Sequence, residues 1–163
     1  MSGWTGTASI KWIDRIQVAE EALYSPYNTI EYVMVGPAYP MKYPVLGPPI
    51  TEMPVMSVVD LDWPAEISSQ TKTIRGRSSA GEGRVREVLY SIDNGQWRTA
   101  ELSGPDIEGC WRQWQFNWEP SPGKNEIRVR TTDDRGRTQP DAVPWNYHGY
   151  LYNAVVAHPV VVS

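Results

Sequence analysis

Residue types able to do acid–base, nucleophilic or metal chemistry are sparse in this chain, and their spacing narrows the choice further. The two histidines, His148 and His158, have no carboxylate or cysteine beside them at metal-ligand spacing. A zinc or iron site built from this chain alone is therefore not expected, and a structural or interface role for each is. Cys110 is the only cysteine, which excludes an internal disulfide and a Cys-rich zinc site. It precedes Trp111 at what reads as the start of a core strand, so a buried small hydrophobe is expected there. No Gly-x-Ser-x-Gly elbow occurs, and Gly81-Glu82-Gly83 lacks the Lys-Ser/Thr and the following helix of a phosphate loop, which leaves a turn. Two cations stand out, Lys11 and Arg84, because each sits among glycines or small residues where backbone and charge can approach an anion closely. A strand-edge charge for Lys11 and a solvated loop tip for Arg84 are the alternatives.

The elements that would position these residues are short strands. In Arg112-Gln113-Trp114-Gln115-Phe116-Asn117-Trp118 the even positions from Trp114 are aromatic and the odd ones polar, the alternation of a half-buried strand. Glu126-Ile127-Arg128-Val129-Arg130 repeats the pattern after a Pro122-Gly123 turn. The run Val85 to Ile92 ends in Asp93-Asn94-Gly95, where Asn-Gly is expected to supply the positive φ angles of a type I′ hairpin, and Asp133-Asp134-Arg135-Gly136 reads as a second corner. Strands and turns at this spacing, with no amphipathic helix among them, predict a mainly β, immunoglobulin-like sandwich. Ahead of it, Leu23 to Val58 is dense in Pro and Tyr without a sustained period, and is expected to be an extended arm packed on another surface. The sequence divides into residues 1–52, tail and arm, and 53–163, the sandwich.

At 163 residues and 40% hydrophobic content the chain can bury one core. Its eight Trp, nine Tyr, fourteen Pro and thirteen Gly suit strands joined by tight turns. A net charge of −4 lacks the positive field that phosphate-backbone binding needs, so nucleic acid is not an expected partner. No run approaches the roughly 20 apolar residues of a membrane span, and Met1 to Lys11 has no signal-peptide pattern.

Several segments, in order, resemble the sulfite oxidase family of molybdenum enzymes. Gly3-Trp4-Thr5-Gly6-Thr7-Ala8-Ser9-Ile10-Lys11-Trp12-Ile13 resembles the Gly-x-x-Gly-x-x-x-Val-Lys-Trp-Leu segment that closes the family's molybdopterin-binding domain. Ile50 to Ser57 is similar to its linker, with a Leu-Pro-Val-x-Ser pattern. Ser91-Ile92-Asp93-Asn94-Gly95-Gln96-Trp97 is similar to its Ser-x-Asp-Gly-Gly-x-x-Trp hairpin, one residue shorter, and Trp111 to Trp114 to its Trp-x-x-Trp strand. Asp133, Gln139-Pro140, Trp145-Asn146-Tyr147-His148-Gly149-Tyr150 and Asn153 resemble its closing signature.

The resemblance implies a C-terminal dimerisation portion, pairing through exposed aromatics and arginines on a sheet face. The enzyme it serves would use molybdenum bound by molybdopterin to transfer an oxygen atom to or from a small oxyanion such as sulfite. By carry-over, Ser9 and Lys11 would contact the cofactor's polar end. Arg84, in the Glu82-Gly83-Arg84 context, would face the oxyanion, with Arg86 the next possibility. The family's molybdenum-ligating Cys lies upstream of such a segment, so Cys110 does not inherit that role. The expected partners are a second copy and an upstream molybdopterin-binding domain, and this chain alone is expected to be inactive. Exported bacterial members carry their export signal upstream too, so the resemblance fits periplasm or cytoplasm. A free-standing sandwich that binds a protein or carbohydrate, its Trp and Tyr spread on one outer face, is the competing expectation.

Overall fold

A computed structural model describes residues 3–71 and 73–163. Among the described residues nine strands form two sheets. β1 (Met56–Val59), β3 (Thr73–Ser79), β7 (Arg112–Asn117) and β6 (Glu101–Ser103) make one, in the order β1-β3-β7-β6. β2 (Ala65–Ile67), β9 (His158–Val162), β8 (Gly123–Asp133), β4 (Val85–Ile92) and β5 (Arg98–Thr99) make the other, in the order β2-β9-β8-β4-β5. Only the β2–β9 pairing is parallel among these. The expected sandwich is present, and its strands carry the predicted alternation.

Trp114 and Phe116 of β7 and Ile127 and Val129 of β8 point inward and are buried, while Gln113, Gln115, Arg128 and Arg130 take the outward positions. Tyr90 of β4 stacks on Phe116 across the core with ring centroids 3.7 Å apart. Trp114 lies over Gly76 of β3 so closely that a Cβ there would sit 2.1 Å from its Cζ2 and 2.3 Å from the Val58 carbonyl oxygen. Only glycine fits beneath that ring.

A polar cluster crosses the core at one end. The Ser57 hydroxyl lies 2.6 Å from that of Thr131 and donates to Gln139 Oε1 at 2.5 Å, and Thr131 Oγ1 donates to Ser78 at 2.7 Å. Gln139 donates onward to the Asn153 carbonyl, and Asn153 to that of Val55. Because every member finds a partner, the cluster ties β1, β3 and β8 to the C-terminal loop without an orphaned buried group.

Three local expectations are corrected. The hairpin after β4 places its positive φ at Asp93 (50°) and Asn94 (57°), with Gly95 N–H closing onto the Ile92 carbonyl at 2.8 Å. The turn thus sits one residue earlier than Asn-Gly chemistry suggested, since Asp and Asn both tolerate the left-handed region. Cys110 is half-buried in the turn before β7, its amide bonded to the Ile107 carbonyl, so it precedes the core strand instead of joining its buried face.

The Pro/Tyr-rich stretch, third, does not run out as an arm. After one π-type turn at Tyr27–Glu31 it doubles back on itself, with Met34 N–H donating to Pro48 O, Ile50 N–H to Tyr32 O and Leu46 N–H to Thr29 O. The prolines punctuate the turns, and the amides between them pair across the loop. Val33, Met34 and Ile50 are buried inside it. The loop is held to the C-terminal segment by Tyr147 N–H on the Val35 carbonyl, and by Asn146, which accepts from Tyr150 N–H and donates to its carbonyl to close the turn beneath.

Candidate functional site

The N-terminal residues are fixed by backbone pairing. Trp4 bridges Glu52, Thr5 N–H donates to the Thr51 carbonyl at 2.8 Å, and Met53 N–H donates to that of Gly3 at 2.9 Å. Gly3 presses on Gly81 of the β3–β4 loop, where a Cβ on Gly3 would meet the Gly81 carbonyl oxygen at 2.4 Å. This contact joins the segment that carries Ser9 and Lys11 to the loop that carries Arg84.

Ser9 follows a 3-10 turn at Gly6–Ala8 and lines a cleft of about 660 Å³ with Trp4, Thr7, Tyr27, Asn28 and Ile50. A second cleft of about 530 Å³ lies on the other side of Thr7 and Ile50, walled by Tyr32, Met56, Tyr150 and Tyr152. Aromatic walls with a few hydroxyls make a surface suited to a flat, partly polar heterocycle. Lys11 does not line either cleft. It belongs to a run, residues 9–24, that is exposed throughout, including Ile10, Trp12, Ile13, Ile16 and Val18, with Trp12 98% exposed.

Arg84 opens a separate, charged site. Its amide donates to Asp134 Oδ1 at 3.1 Å, and its guanidinium donates to the Asp106 carbonyl while lying 3.9 Å from the Asp106 carboxylate. Arg112 takes the other carboxylate oxygen at 3.0 Å. Arg135 pairs with Glu82 at 2.8 Å, and Arg137 with the fully buried Asp133 at 2.6 Å. Asp133 also accepts the amides of Arg135 and Arg137, so it is an internal brace for the corner and not a reactive group. Glu52 and Glu82 share a hydrogen bond, which raises the Glu52 carboxyl above its ordinary range; the same bond and Arg135 hold Glu82 below it. Arg86 stands exposed on β4 at the irregular register between Val85 and Glu87.

Ser9 and Arg84 are therefore linked by backbone but line different surfaces, and Arg84 is not among the residues of Ser9's cleft. Sequence reasoning missed Asp106, Arg112, Arg135 and Arg137, whose only signal was charge density near turns. It also missed Tyr27, Asn28 and Tyr32, because they reach the cleft through the doubled-back loop.

His158 Nε2 donates to the Asp62 carbonyl at 2.8 Å and the ring meets Trp63 edge-on, while His148 packs on Tyr150. No group of three His, Cys, Asp or Glu side chains among the described residues could hold a metal ion. The exposed Trp and Tyr side chains among them all fall outside the strands, so no sheet face forms an aromatic platform.

Residues 48–162 match the Mo-co oxidoreductase dimerisation domain. The chain is 32% identical over 165 residues to mitochondrial sulfite oxidase of Homo sapiens, 30% to sulfite oxidase of Gallus gallus and 28% to nitrate reductase [NADH] 2 of Phaseolus vulgaris. Each similarity runs over 93% of this chain and covers 30%, 36% and 20% of the respective relative. In fold it is similar to sulfane dehydrogenase SoxCD from Paracoccus pantotrophus, with a TM-score of 0.79 at 22% identity over 96% of this chain and 41% of that one. With a two-sheet sandwich and most of its length inside the matched span, the chain belongs to the Mo-co oxidoreductase dimerisation domain family.

Proposed function

We propose that this chain is the dimerisation portion of a sulfite-oxidase-type molybdenum oxidoreductase, joined to the closing piece of its molybdopterin-binding domain. The observation that carries the reading is the reach of the similarity. The family match opens at residue 48, yet the likeness to sulfite oxidases covers 93% of the chain and so extends well ahead of the sandwich. On this reading residues 1–52 belong to the cofactor domain and 53–163 to the dimerisation domain.

The donors present fit the polar end of a pterin better than they fit a metal. Ser9 and Thr7 offer hydroxyls inside an aromatic-walled cleft, and Lys11 offers an ammonium on the adjoining exposed run. The half-buried Cys110 lies before β7, in the sandwich, and on this reading the molybdenum ligand would come from the molybdopterin-binding domain. When bound, the molybdenum cofactor supplies the oxygen-atom transfer and the electrons. This chain's part is to hold and orient. Ser9 and Lys11 would hold the cofactor's anionic end, and Arg84 would present its planar fork to a tetrahedral oxyanion in competition with Asp106.

The exposed apolar run from Ile10 to Leu23 supports the reading, since Ile, Trp and Val side chains left in water along one segment call for a covering surface. The purified chain alone is expected to show no sulfite-dependent reduction of an artificial electron acceptor. Turnover by the chain without a second polypeptide would overturn the reading.

A further inference from the structure

Resting on the substrate role just proposed for Arg84, we infer that Arg112 is a positioning residue of the oxyanion site. It holds the Asp106 carboxylate and so keeps the Arg84 guanidinium free to take an anion. Arg112 opens β7, where it pairs with Ser78 of β3, and its side chain therefore rises from a fixed point of the four-stranded sheet. Its Nη1 spans two groups, donating to the Val85 carbonyl at 3.2 Å and lying 3.0 Å from Asp106 Oδ2. Val85 follows Arg84 in the chain, so one guanidinium fixes both the start of β4 beside Arg84 and the acid that faces it.

The three side chains differ in freedom. That of Arg112 is 20% exposed, whereas those of Arg84 and Asp106 are 44% and 48% exposed, so an anion can reach Arg84 while Arg112 is the sheltered anchor. Arg84 meets Asp106 mainly through the backbone carbonyl and stands 3.9 Å from Oδ1, which leaves the carboxylate committed to Arg112. Among the described ion pairs Asp106 is the carboxylate that two arginines share. The neighbouring acids have other partners: Glu82 and Glu108 lie on Arg135, Asp133 on Arg137, and Asp134 accepts the Arg84 amide.

The β6–β7 loop is itself stapled to Gly83, whose carbonyl accepts from Gly109 N–H at 2.9 Å. Asp106 therefore sits beside Arg84 in any case, and Arg112 decides where its charge is spent. With Arg112 in place, an oxyanion that takes Arg84 leaves no carboxylate without a cation. Without it, the carboxylate turns to Arg84, the other cation in reach, and the oxyanion has to displace it.

Titration of the full chain with sodium sulfate at constant ionic strength tests this, read from the Arg84 Nε–H signal in proton–nitrogen correlation spectra and assigned by its loss in Arg84→Lys. Arg112→Gln is expected to weaken sulfate binding at Arg84 by about fivefold, and Asp106→Asn to tighten it about threefold, the scale of an exposed ion pair. On the Asp106→Asn background, Arg112→Gln is expected to change binding by less than about twofold, because the charge that Arg112 manages is gone. A residue that only props up the loop would weaken binding equally in both backgrounds. Equal losses in the two backgrounds, or no loss in the first, would overturn the inference and leave Arg84 as the anion's contact. An Arg84 signal that sulfate fails to move even in the Asp106→Asn chain would overturn the inference together with the substrate role on which it rests.

Discussion

A hydrogen bond between Glu52 and Glu82, where the N-terminal segment meets the sandwich, pushes the Glu52 carboxyl up and, with Arg135, holds that of Glu82 down. Glu52 is raised, so its contribution is present while it is protonated and is lost as pH rises through its shifted value. Glu82 is lowered, so its contribution is present above the ordinary carboxylate range and is lost as pH falls. The pair thus favours the mildly acidic window between the two. Glu52→Gln keeps the donor without the titration, and is expected to raise Tm relative to the parent at about pH 7.5 and to leave it nearly unchanged at about pH 4.5. Scanning calorimetry at both values checks it. Arg84→Ala, in the assembled enzyme, is expected to raise KM for the oxyanion about tenfold or more while the chain's own Tm moves little, since its Asp106 pairing is solvent-exposed. Steady-state kinetics and a melt separate the two effects. Lys11 and Arg84 were legible in the sequence as cations near small residues. Asp106 was not, because the Ser103-Gly104-Pro105-Asp106 turn that carries it marks a chain reversal without specifying which distant cation it meets.

At the scale of elements, the strands were legible wherever alternation was strict. Trp114, Phe116, Ile127 and Val129 are buried as their spacing requires. The doubled-back loop was not legible, since Pro-rich sequence specifies where a chain cannot be helical without specifying which distant amide meets which carbonyl. Gly76 tests how tightly β3 and β7 are matched. Gly76→Ala is expected to destabilise the fold by about 3 kcal/mol, because its Cβ would overlap Trp114 and the Val58 carbonyl. Gln139→Ala, which strands Ser57, Thr131 and the Asn153 carbonyl, is expected to cost about 2 kcal/mol. Urea unfolding of each variant measures both. The family-signature residues Gln139, Asn146 and Asn153 thus have a structural account. They lace the C-terminal loop to the core and hold the cleft walls of Tyr150 and Tyr152 in place.

For the whole molecule, the division of labour follows from where polar and apolar groups end up. The sandwich satisfies its own core and presents a charged outer row, whereas residues 9–24 leave Ile10, Trp12, Ile16 and Val18 uncovered beside an aromatic cleft. A segment of that kind is stable in water only at a cost, and is best explained by a surface that closes over it. The most direct measurement is co-purification of this chain with a molybdopterin-binding domain that carries the ligating Cys, followed by molybdenum analysis. The account predicts a stable complex with about one molybdenum per pair of chains, and protection of residues 9–24 from proteolysis. A chain that stays alone, metal-free and folded in the presence of that domain would contradict it, and would remove the cofactor roles of Ser9 and Lys11 and the substrate role of Arg84.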